Sequence, residues 1–129
     1  MTYLHPDYFY TRDHVWVQDI GQDRIRIGIT SFAAEKLGTV IHVELPLEET
    51  TGKSGQPIGT IESSKTVSDL YSPILGGILE VNWTLEESPE RINEDPYGEG
   101  WIAVMDSPST VDVRLFMTAE EYDVYIKEE

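Results

Sequence analysis

The chain has 129 residues, 24 acidic against 9 basic side chains for a formal net charge of −15, and no cysteine. That length suffices for one domain with a real core, expected to span residues 1–129. The charge works against nucleic acid and anionic membranes, which need clustered Lys and Arg, and the absence of cysteine excludes disulfides, thiolate metal sites and cysteine nucleophiles.

The opening MTYLHPDYFYTRDH lacks the basic start and apolar run of a secretion signal. No stretch approaches the roughly 20 apolar residues of a membrane span. The expectation is a soluble, cytoplasmic protein whose acidity favours solubility and steering toward basic faces of partners. Residues 14–18 (HVWVQ) alternate as a strand, and Gly21-Gln22-Asp23 reads as a turn. Residues 24–29 put Ile25, Ile27 and Ile29 on one face and Arg24 and Arg26 on the other, the period of a half-buried strand. Residues 31–37 (SFAAEKL) form a short helix stopped by Gly38. Residues 39–45 return to strand, and the polar loop 46–56 carries Gly52 and Gly55.

Two strand-like runs, 57–62 and 67–71, meet at a short tip of Ser63, Ser64, Lys65 and Thr66, and a further strand follows at 77–81. The lysines are Lys36, Lys53, Lys65 and Lys127, and Lys65 alone sits between two short strand patterns. A hairpin-tip lysine is ordinarily a solvated charge or a guard against edge pairing. Ser88-Pro89-Glu90 reads as a helix start, followed by a turn-rich acidic loop from Asn93 to Gly100 and a short apolar strand at 101–105. Thr118 and Glu121 form a capping box that opens a last helix from Ala119 to about Lys127, with Tyr122, Tyr125 and Ile126 on one side. Many short strands, Gly and Pro at the turns and brief helices indicate a small, mainly β sandwich or flattened barrel.

The hairpin resembles the lipoyl-lysine hairpin of the glycine cleavage system H-protein family, through Glu62, Ser63, Lys65, Ser68, Asp69, Pro73, Gly77, Val81 and Asn82. The similarity covers nearly the whole chain. It includes Tyr10-Thr-Arg-Asp-His, Trp16-Val17, Gly28-Ile29-Thr30, Val43-Glu44-Leu45-Pro46, Ser88-Pro89-Glu90 and Asn93-Glu-Asp-Pro-Tyr-Gly-Glu-Gly-Trp101. The resemblance implies a barrel-sandwich hybrid fold with short helices and a C-terminal helix, and a non-catalytic carrier with lipoate in amide linkage to Lys65. It also implies that Glu62 and Asp69 are recognised by the lipoate ligase or lipoyl transferase, and that Val15, Trp16 and Asp69 line a cleft for the arm.

Where the family has His-Glu-Trp-Val, this chain reads His14-Val15-Trp16-Val17. In H proteins that glutamate can receive the amine of an aminomethyl-loaded arm; valine offers neither charge nor hydrogen bond. Ser64 and Trp83 are milder departures, from an apolar and a small or polar residue respectively. The valine tips the reading slightly toward an H-like lipoate-binding protein serving a heterodisulfide-reductase-like sulfur-oxidising complex. The alternative is the H protein of glycine cleavage, with glycine decarboxylase, aminomethyltransferase and dihydrolipoamide dehydrogenase as partners.

Other classes fit less well. Biotin carriers frame their lysine with methionines, and lipoyl domains of 2-oxoacid dehydrogenases show Asp-Lys-Ala at the tip; Ser64 and Thr66 flank Lys65 here. His5, His14 and His42 lack metal-ligand spacing and read as surface or strand histidines. Neither a phosphate loop nor a nucleophile–base order is present, so no catalytic residue is expected. Trp16, Trp83 and Trp101 read as core or cleft wall.

Overall fold

A computed structural model describes residues 3–107 and 115–128. Its strands are β1 (Phe9–Tyr10), β2 (Val15–Gly21), β3 (Arg24–Ile29), β4 (Val40–Glu44), β5 (Thr51–Gly52), β6 (Pro57–Ser63), β7 (Val67–Tyr71), β8 (Gly76–Val81) and β9 (Ala103–Asp106). Its helices are α1 (Ser31–Leu37), α2 (Thr84–Glu87), α3 (Arg91–Glu94) and α4 (Ala119–Lys127). The strands form a six-stranded sheet in the order β1-β2-β3-β9-β8-β5 and a three-stranded sheet in the order β4-β6-β7. Every pairing is antiparallel, which gives the mainly β, sandwich-like class expected from the sequence.

The alternation in β3 is realised: Ile25, Ile27 and Ile29 are buried while Arg24 is exposed, each isoleucine contributing about 1.5–3 kcal/mol by leaving water. β2 is buried on both faces at its start. Val15 and Val17 join the large aliphatic core between the sheets, whereas Trp16 joins a second cluster with Tyr8, Tyr10, Tyr97, Tyr122 and Ile126. Gly28 lies opposite Trp16 in the β2–β3 register, and a Cβ there would come within 2.7 Å of the indole. The indole packs on bare backbone, and its Nε1–H donates to the Pro96 carbonyl at 2.9 Å.

Four local expectations change. The loop at 46–56 contains β5, which pairs with β8 through Thr51↔Gly77 and Gly52↔Gly76; a strand this short carries no periodicity. The helix expected to start at Ser88-Pro89-Glu90 begins at Arg91, after a turn in which the Arg91 N–H donates to Ser88 O. α2 gives no sequence signal, having a single turn and no side-chain cap. Trp83, just before it, is 57% exposed, outside both core and cleft, and nothing in the structure explains it. The C-terminal helix has the expected bounds and the expected capping box between Thr118 and Glu121.

Candidate functional site

The β6–β7 hairpin ends in a tip built on one hydroxyl. Ser63, 4% exposed, accepts the backbone N–H of Lys65 and of Thr66, both at 3.1 Å, and donates to the Thr66 carbonyl at 3.3 Å. The Ser63 N–H also donates to Thr66 O at 2.8 Å, and Ser64 N–H to Thr39 O at 3.1 Å, which ties the tip to the segment between α1 and β4. Serine at 63 therefore fixes the backbone that presents Lys65, whose side chain is exposed.

The Lys65 stem crosses the end of α1. Thr30 caps the helix start, its hydroxyl accepting from Ala33 N, and Gly38 ends it with a φ of 79°. A Cβ at Gly38 would lie 3.2 Å from Lys65 Cε, so glycine serves both the turn and the passage of the lysine. Asn93 holds this corner from the other side: its Nδ2–H donates to Gly38 O at 2.7 Å and its Oδ1 accepts from Val40 N at 2.9 Å. Asn93, on α3, thus clamps the corner that the lysine stem crosses.

Grooves flank α1. One, of about 350 Å³, lies between α1 and β7 and has Ile29, Leu37 and Ile61 with Phe32 and Val67 as apolar lining, and Asp13, His14, Lys36 and Asp69 as polar groups. His14 is held there with a φ of 64°, its Nδ1 2.6 Å from the Tyr122 hydroxyl, which is also 2.8 Å from Thr30 Oγ1. The other groove, of about 930 Å³, runs between α1 and the 90–98 segment, with Ala34, Gly38, Thr39 and Tyr97 among its lining.

Of the cleft residues expected from the sequence, Asp69 lines the smaller groove; Val15 and Trp16 do not. Val15 is 1% and Trp16 0% exposed, and they point to opposite sides of β2 into separate clusters. Strand alternation forbids both from facing one cleft, a limit that motif matching does not register. Glu62 lies opposite His42 on β4 and Val67 on β7, and Asp69 opposite Thr60, so Glu62 and Asp69 share the outer face of the hairpin. His14, read as a plain surface or strand histidine, and Phe32, Lys36 and Leu37 on α1 are groove residues the sequence reading passed over. Their helical spacing was visible, but not what it would face. Among the described residues no group of three or more His, Cys, Asp or Glu could hold a metal ion, and no helix is long and apolar enough to cross a membrane.

A β scaffold that offers one amine at a serine-pinned apex, with apolar grooves beside it, is of the lysine-modified carrier class. The match to the glycine cleavage H-protein family model spans residues 8–129. A glycine cleavage system H protein of Rubrobacter xylanophilus is 47% identical over 129 residues, covering 100% of this chain and 99% of its own. That of Bacillus licheniformis is 45% identical over 120 residues, covering 93% of this chain and 94% of its own. The crystal structure of a glycine cleavage system H protein from Mycobacterium marinum superposes with a TM-score of 0.86 at 36% identity, covering 96% of this chain and 99% of that one. The chain belongs to the glycine cleavage H-protein family, whose members are non-catalytic carriers with lipoate covalently attached to a lysine.

These relatives correct the preference for a sulfur carrier: the family and the similar proteins are of the glycine cleavage type. That preference rested on Val15, whose side chain lies in the core and lines neither groove, so its lack of charge says nothing about cargo.

Proposed function

We propose that Lys65 is the lysine that takes lipoate and that the chain, as one carrier domain in the cytoplasm, serves glycine cleavage. The observation that carries this reading is the exposed Lys65 on a tip whose backbone Ser63 holds by three hydrogen bonds. The residues fit the group: the amine is accessible, its stem crosses a position without a side chain, and apolar grooves lie within the same corner. When attached, lipoate supplies a disulfide that opens and closes while bearing a group, chemistry that resides in the cofactor. The protein's part is placement. Ser63 keeps the attachment point rigid, and the tether makes each transfer effectively intramolecular at a partner's site.

Glu62 and Asp69, on one face of the hairpin, are the carboxylates for recognition by the ligase or lipoyl transferase. Asp69, with Asp13 across the smaller groove, also offers negative charge to the amine of an aminomethyl cargo, over a floor of Ile29, Leu37 and Ile61. Glycine decarboxylase, aminomethyltransferase and dihydrolipoamide dehydrogenase are the partners this reading requires.

The test is intact mass after incubation with lipoate, ATP and a lipoate ligase. The wild-type chain gains one lipoyl group and Lys65→Arg gains none. Gain on Lys65→Arg, or none on the wild type, overturns the assignment. The modified protein should then accept an aminomethyl group from glycine decarboxylase.

A further inference from the structure

Trp83 is an indole that the fold does not use. Its side chain is exposed, and among the described residues neither an aromatic ring nor a cation stacks on it. Trp16 is fully buried, and Trp101 already carries a cation of this chain, Arg26 Cζ lying 5.3 Å from the ring centroid. The backbone that presents Trp83 is nevertheless fixed on both sides. Buried Asn82 donates from Nδ2 to Glu99 O at 2.9 Å and to Trp101 O at 2.8 Å, and Leu85 is sunk in the aliphatic core. An exposed indole on a rigid mount loses little freedom when it is covered, which is the profile of an interface anchor.

The neighbouring charge says what would cover it. Trp83 has helical backbone angles, φ −59° and ψ −22°, and its carbonyl accepts from Glu86 N at 3.1 Å. Glu86 and Glu87, three and four positions on, therefore share its side of the turn. Both are exposed, and among the described residues neither is in an ion pair. Carboxylates next to an open indole match a guanidinium: the ring takes the flat face of the cation and the carboxylates take its N–H groups. They do not match a second copy of this chain, which would bring the same carboxylates and the same net charge of −15. α2 packs against β4, and β4 starts at Val40, paired with Ser63 of the lysine tip, so a partner held at Trp83 is held beside the strand that borders Lys65.

We propose that Trp83, with Glu86 and Glu87, is a docking anchor for an arginine-bearing basic surface on an enzyme that the carrier visits, the guanidinium lying over the indole and pairing with the carboxylates. The inference rests on the chain serving glycine cleavage with Lys65 lipoylated.

The experiment uses the full chain, lipoylated and checked by intact mass, as the varied substrate of glycine decarboxylase, aminomethyltransferase and dihydrolipoamide dehydrogenase in turn. With at least one of them, Trp83→Ser should raise KM severalfold at unchanged kcat, and Trp83→Phe should recover part of the loss. Glu86→Gln combined with Glu87→Gln should raise KM at low ionic strength and flatten its dependence on salt. The urea midpoint of Trp83→Ser should stay at the wild-type value, since the ring lies outside both core clusters. KM values unchanged with all three enzymes overturn the proposal and leave the carrier reading in place. A KM rise in Trp83→Ser that the glutamine pair does not share makes the covering surface apolar, and a wild-type dimer that Trp83→Ser dissociates makes it a second copy; either result overturns the basic partner. A wild-type chain that none of the three enzymes accepts overturns both readings.

Discussion

Ser63 carries the hairpin tip on a single hydroxyl that accepts from Lys65 N and Thr66 N. Alanine at 63 would leave those amides to water and remove the donor to Thr66 O, a loss of about 1 kcal/mol for a partly exposed turn. The larger effect should fall on presentation, because the Lys65 backbone loses its fixed angle relative to Gly38. Ser63→Ala is expected to lower the urea midpoint modestly and slow lipoylation severalfold in a mass time course; an unchanged rate would mean that the ligase itself imposes the tip geometry. Lys65 and the Glu-Ser-x-Lys motif were legible in the sequence because they are local. The Asn93 clamp on Gly38 and Val40 was not, since it joins segments more than fifty positions apart and polar side chains in a loop carry no sign of their acceptors.

The element that links the grooves to the rest of the fold is α4. Its capping box satisfies the first turn, Thr118 Oγ1 accepting from Glu121 N at 3.2 Å while Glu121 Oε1 accepts from Thr118 N at 2.9 Å. The helix then buries Tyr122 and Ile126, and the Tyr122 hydroxyl reaches His14 and Thr30. One side chain thereby joins the groove wall to the cap of α1. Thr118→Ala should cost about 1 kcal/mol, with Thr118→Ser retaining most of it, as read from urea unfolding. Faster amide exchange at His14 and Thr30 in the alanine variant would show that α4 steadies the groove. The capping box and the apolar side of α4 could be read from spacing alone, as could β3 and α1, because their periods repeat over enough residues. Short elements such as β5 and α2 could not: they exist through pairing and packing with distant partners, and two to four residues do not establish a period.

Across the whole molecule the second cluster closes the fold, gathering the N-terminal segment, β2, the Asn93–Gly98 turn region and α4 around Trp16. Much of it is tyrosine. Burial raises Tyr10, Tyr97 and Tyr8 above the ordinary value of 10.0, with Tyr10 further raised by the nearby Tyr97. The sign follows from proton counts. Below about pH 10 these phenols are protonated whether folded or not, and the cluster's contribution is complete; above it the unfolded chain releases protons that the folded chain keeps. Stability therefore falls as pH rises from the unfolded value toward the raised folded ones, and accumulating negative charge on a chain already at −15 acts in the same direction. The urea midpoint, followed by the emission of Trp16, whose ring centroid is 5.0 Å from that of Tyr8, should drop steeply between about pH 10 and about pH 12. Tyr10→Phe removes the most strongly shifted phenol together with its hydrogen bond to His5 O, so it should start less stable at neutral pH yet lose less on the alkaline side. An equal alkaline slope in both proteins would place the titration outside this cluster.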